Sequence, residues 1–168
     1  MDPSLITPFV KSIQNVFSTM LQLEVQVCDP CIRNSDKPTH DVSGIIGMSG
    51  DVTGSIVLSF EMETAESVVS LFCGERIDPT SPDFADAVGE LVNMVSGGAK
   101  ASFPDNKNVS ISVPSVIVGK DHTVARQSDI PCVAIPCSCD CGEFVIEVTI
   151  REANAAKAPQ GAQAAAQA

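Results

Sequence analysis

The chain has 168 residues, 44% of them apolar, which suits one compact domain with one core. Ten Lys and Arg stand against 21 Asp and Glu, a formal net charge of -11, so the field of the molecule repels phosphate backbones and anionic membranes, and neither nucleic acid nor lipid is expected as a partner. There is no Trp or Tyr to stack on bases, no run approaching the ~18 apolar residues of a membrane span, and no basic leader in the opening MDPSLITPFVKSI, so a cytoplasmic location is expected.

Phe9, Ile13, Val16, Phe17 and Met20 recur every three or four residues and predict an amphipathic helix. Two starts fit, at Asp2 with Pro3 or at Thr7 with Pro8. Thr7 is favoured, because the earlier start places Pro8 inside the helix. Next, VSGIIGMSG and VTGSIVLSF, separated by a Ser-Gly-Asp turn signal, predict a β-hairpin. TAESVVSLFCGE predicts a short helix with Thr64 as N-cap and Gly74 as a left-handed C-terminal cap. DPTSPDF then breaks the chain before a helix over about 83–101, which Asp83 or Ser81 can cap.

Four β-rich runs follow, VSISVPSVIVG, HTVARQ, CVAIPCSC and EFVIEVTIRE, and predict an antiparallel, meander-like second half. From Ala153 the composition falls to Ala, Gln, Gly and Pro, with nothing large to bury, so 153–168 is expected to be a disordered tail or a frayed helix. The fold class expected for 1–152 is a single layered α/β or α+β domain, a mostly antiparallel sheet with long helices packed on one face.

In the helix over 83–101, 100° per residue puts Asp86, Glu90 and Asn93 within roughly 60° of one another, opposite Val88, Leu91, Val92 and Val95. Gly97 lies on the polar side behind Asn93 and Gly89 flanks it, which keeps side-chain bulk low. Such a stripe is either a solvated face or a tool that enters another molecule's cleft. Two carboxylates and an amide, with no His or Cys among them, do not make a self-contained hydrolase. Any chemistry here would borrow a partner's site.

Asp86, Glu90 and Asn93, followed by Pro114 in ISVPS, resemble the signature of the chemotaxis phosphatase family that includes CheC, CheX and FliY. The likeness extends to PFVKSIQNVFSTML, DVTGSIVLSF and VGELVNMVSGGAKA, nearly all of 1–152, and the single Glu and Asn pair matches the CheX layout. The resemblance implies a CheC/CheX-like fold and hydrolysis of the aspartyl phosphate on a CheY-like response-regulator receiver domain in chemotaxis signalling. It implies that Asn93 orients the attacking water and that Glu90 pairs with the receiver's active-site Lys. Asp86 takes a supporting role and Pro114 shapes a loop or edge near the helix. No cofactor is expected on this chain, Mg²⁺ is expected in the receiver, and a homodimer joined through sheet edges is implied. The alternative is a receiver-binding or scaffold module of the same fold without catalysis.

Seven Cys in a chain without an export signal are expected to be reduced. Cys28 and Cys31, and Cys137, Cys139 and Cys141, invite a zinc reading. Tetrahedral sulfurs lie about 3.8 Å apart, however, whereas residues four apart in a strand are separated by roughly 13 Å, so buried or half-buried thiols are favoured. His40 and His122 are expected at the surface. The glycines of GMSGDVTGS lack the Lys of a phosphate loop and are expected to serve a turn.

Overall fold

The structure, a computed structural model, describes residues 2–34, 40–127 and 129–153. The Ala/Gln tail, apart from Ala153, lies outside these residues. Its first element, α1 (Pro3–Val16), begins earlier than expected: Asp2, not Thr7, is the N-cap, and its carboxylate accepts the Ser4 N–H at 2.8 Å. Pro8 therefore sits inside the helix. The extra turn buries Leu5 and Ile6, each worth about 1.5–3 kcal/mol, which offsets an interior proline's cost of about 3 kcal/mol. A π-helical turn over Phe17–Leu21 continues α1 and ends at Gln22 in the left-handed conformation.

Among the described residues, eight strands form one antiparallel sheet: β1 (Gln26–Val27), β2 (Cys31–Ile32), β3 (Val42–Gly50), β4 (Val52–Phe60), β5 (Val109–Ile111), β6 (Ser115–Val118), β7 (Val133–Cys139) and β8 (Gly142–Glu152). The order is β1-β7-β8-β4-β3-β5, with β2 also on β7 and β6 also on β3. The β3–β4 hairpin matches the expected one, from Val42 opposite Phe60 to Met48 opposite Gly54. The second half is not a meander. β5 and β6 line one edge on β3, whereas β8 joins β4 and carries β7 outside it.

The chain between β6 and β7 must therefore cross β3, β4 and β8. This explains why HTVARQ, for all its β-branched residues, forms no strand: 122–127 lies over the sheet, whose backbone groups are already paired, not beside it. Ser43, Ser59 and Glu147 are buried beneath this crossing. His122 is a second correction, being half-buried with Nε2 2.7 Å from Ser43 Oγ and Nδ1 2.8 Å from Gly119 O. His40 is likewise half-buried. Arg126 Nη2 donates to Glu147 Oε2 at 2.9 Å, and Arg33, next to β2, holds the other carboxylate oxygen.

The opposite face of the sheet carries the helices. With α2 (Met62–Cys73) and α3 (Pro82–Ala101), α1 closes a core in which Phe9, Phe17, Phe60, Phe84 and Phe144 are fully buried. Ser12 Oγ donates to Val95 O at 2.7 Å where α1 meets α3. Gly44 lets α3 lie close on β3, since a Cβ there would stand 3.0 Å from Val92 Cγ1. In α2, Gly74 takes the expected left-handed cap with φ 75°. Thr64 is not the N-cap, which is Glu61; the Met62 N–H is instead satisfied from outside the helix, donating to Asp41 Oδ2 at 3.0 Å. No helix among the described residues is long and apolar enough to cross a membrane.

Candidate functional site

α3 is the central helix, and both of its ends are defined by its own sequence. Ser81 Oγ accepts the Asp83 N–H at 3.2 Å, Pro82 occupies the first turn, and Asp83 and Lys100 place opposite charges at the ends where the helix dipole favours them. Phe84, Val88, Leu91, Val92, Val95 and Ala99 are buried against the sheet and α1. The opposite stripe faces outward: Asp86 and Glu90 are exposed, and Asn93 and Gly97 are half-exposed. Nothing comes within 4 Å of the position a Gly97 Cβ would take.

Gly89 departs from expectation. It is buried, and a Cβ there would touch Pro114 Cγ and Val116 Cγ2, both at 3.4 Å. Its missing side chain makes room for the sheet edge, not for a partner. Pro114 is thereby brought against the helix one residue from Glu90.

A bulge that the sequence reading did not find puts Pro114 there. Ile111 pairs with Met48 and Ser115 with Ile45, so Ser112, Val113 and Pro114 stand opposite only Ile46 and Gly47. The extra residue reverses the alternation, so that Ile111 before it and Pro114 and Val116 after it all turn toward the helical side. Ser112 fastens the bulge: its N–H donates to Gly47 O at 2.9 Å, and its Oγ accepts the Gly47 N–H at 2.9 Å. The detectable signal was the Pro, which strand interiors exclude.

The thiols are spread out. Cys28 and Cys31 are exposed beside β1 and β2, Cys137 is buried, and Cys139 and Cys141 are half-buried near the β7–β8 turn. Burial pushes the Cys137 thiol up to about 12 and that of Cys141 to about 11. Among the described residues, no three His, Cys, Asp or Glu side chains group so as to hold a metal ion. What α3 presents is a carboxylate and a carboxamide one turn apart on an open helical face, a surface able to contact and orient but not to hydrolyse alone.

Helices on one face of this antiparallel sheet, with that outward ridge on the central helix, define a CheC-like fold. A CheC-like superfamily protein from a Shewanella species superposes with a TM-score of 0.81 at 34% identity, over 90% of this chain and 99% of that one. The chain belongs to the chemotaxis phosphatase CheX family, whose model matches residues 42–138. CheX from Desulfovibrio desulfuricans superposes with a TM-score of 0.80 at 33% identity, over 89% of this chain and 99% of that one. The CheY-P phosphatase CheX of Thermotoga maritima is 29% identical over 123 residues, 72% of this chain and 79% of that protein.

Proposed function

We propose that the chain hydrolyses the aspartyl phosphate of a CheY-like receiver domain, using the stripe on α3. The observation that carries this reading is the outward Glu90 and Asn93 pair, one turn apart on an open helix face, in a chain that belongs to a phosphatase family. The likeness to a CheY-P phosphatase supplies the substrate class.

Phosphoryl transfer needs positioning and charge neutralisation more than covalent help, and the receiver is expected to bring the Mg²⁺ and Lys that neutralise the phosphoryl oxygens. The missing part is a held water. The Asn93 carboxamide offers both a donor and an acceptor, so it orients water in line with the P–O bond without adding charge beside the phosphoryl oxygens. Glu90 docks on the receiver's Lys, and Asp86, one turn earlier, adds to the acidic contact. Pro114 and Gly89 act structurally, seating the sheet edge against α3. Gly97 leaves room behind Asn93.

The experiment is release of phosphate from a phosphorylated receiver with Mg²⁺ and substoichiometric protein. Asn93→Ala is expected to lower kcat by about 10²- to 10⁴-fold, the range for removing a positioned proton-transfer or preorganised donor group. Turnover within about threefold of wild type would refute the role of Asn93. No acceleration by wild type would favour the non-catalytic receiver-binding module, since a binder cannot turn over.

A homodimer paired at a sheet edge accompanies this reading. Both edges leave an apolar side chain uncovered, Ile32 at 63% exposure on one and Val118 at 37% on the other. Sedimentation giving a monomer's mass at micromolar concentration would overturn it.

A further inference from the structure

Val113 is 85% exposed, the most exposed large apolar side chain among the described residues. Single exposed valines are common, but this one stands in a bulge braced on both sides. Ser112 is tied to Gly47 through two hydrogen bonds and also donates from Oγ to Val113 O at 3.0 Å. Pro114, on the other side, abuts Gly89 on α3. Strict alternation from Ile111 would have turned residue 113 toward the helices, so the extra residue is what leaves Val113 in solvent. A braced backbone thus presents one bare apolar group beside Pro114, which meets α3 at Gly89, the neighbour of Glu90, where docking would bury it without ordering a loop.

We propose that Val113 is an apolar contact residue for the phosphorylated receiver domain, setting affinity for that partner rather than the rate of the chemical step. This rests on the phosphatase reading above. Burying one valine on docking predicts that Val113→Asp raises KM for the phosphorylated receiver about tenfold or more, with kcat at saturation within about twofold of wild type. Melting temperature should not change, because the side chain packs on little.

The test is a KM and kcat comparison of wild type, Val113→Ala, Val113→Asp, Asn93→Ala and Leu71→Asp, each checked for mass by sedimentation. Leu71→Asp adds the same charge at an exposed apolar side chain on α2 and should leave KM unchanged. Raised KM in both Val113 variants, larger for Asp, with mass and kcat held, supports the contact. Unchanged KM in Val113→Asp, while wild type accelerates hydrolysis and Asn93→Ala does not, overturns the contact and leaves the phosphatase reading standing. A changed mass in Val113→Asp assigns the residue to a second copy of this chain and overturns the proposal. No acceleration by wild type overturns both readings.

Discussion

Gly97→Ala separates what the fold needs from what a partner needs. A glycine inside a helix costs about 0.8–1.0 kcal/mol relative to alanine, and nothing within 4 Å of the new Cβ opposes the exchange. The variant should therefore be more stable by about that amount, a rise in Tm of about 2–4 °C for a chain of this size. The methyl projects from the half-exposed stripe behind Asn93. If a receiver packs closely on that stripe, one added carbon costs about 1–3 kcal/mol of overpacking, or about 5- to 150-fold in kcat/KM. The assay pairs thermal unfolding of the variant with phosphate release. A lowered Tm would contradict the open space at Gly97, and kcat/KM within about twofold of wild type would contradict close approach there.

Gly98→Ala should act in the opposite sense, because a Cβ at Gly98 runs into Ser12 Oγ where α1 crosses α3. A loss of about 1–3 kcal/mol is expected in urea unfolding, restored in part by Ser12→Ala. Glu147→Ala, which removes the buried carboxylate that Arg33 and Arg126 share, should lower stability by the same measurement. The Cys137 thiol is pushed up to about 12 by burial, whereas in the unfolded chain it ionises near its ordinary 9.0. Between those values the unfolded state loses its proton first, so stability should fall as pH rises past about 9. Cys137→Ala should make that decline shallower in denaturation followed against pH. A thiol reagent at pH 8 should label the exposed Cys28, Cys31 and Cys73 rapidly and Cys132 and Cys137 slowly.

The parts of the fold governed by local spacing were legible. Helical periodicity placed Asp86, Glu90 and Asn93 on the face opposite Val88, Leu91, Val92 and Val95, and Gly74 marked the end of α2 because few other residues adopt its φ. Nonlocal partners were not legible. The α2 N-terminus is satisfied by Asp41, 21 residues upstream, so its own sequence carried no cap. Pro8 argued correctly for a local cost, but the burial of Leu5 and Ile6 that outweighs it depends on the whole core. The β-branched residues of 122–127 read as strand because propensity describes a half-buried extended surface, and it cannot say whether a neighbouring strand has backbone groups to spare. The bulge was hidden for the same reason, since an unmatched residue exists only relative to the strand opposite.

At that bulge the connection carries one residue more than regular pairing requires. Deleting Val113 would leave two residues opposite Ile46 and Gly47, so the alternation would run unbroken from Ile111 to Ser115 and every side chain of β6 would keep its side, Val116 still facing α3. That deletion should therefore fold in the same register and remove only the residue held outward between Ser112 and Pro114. The extra residue thus shapes the edge of the sheet and leaves the register of β6 on β3 untouched.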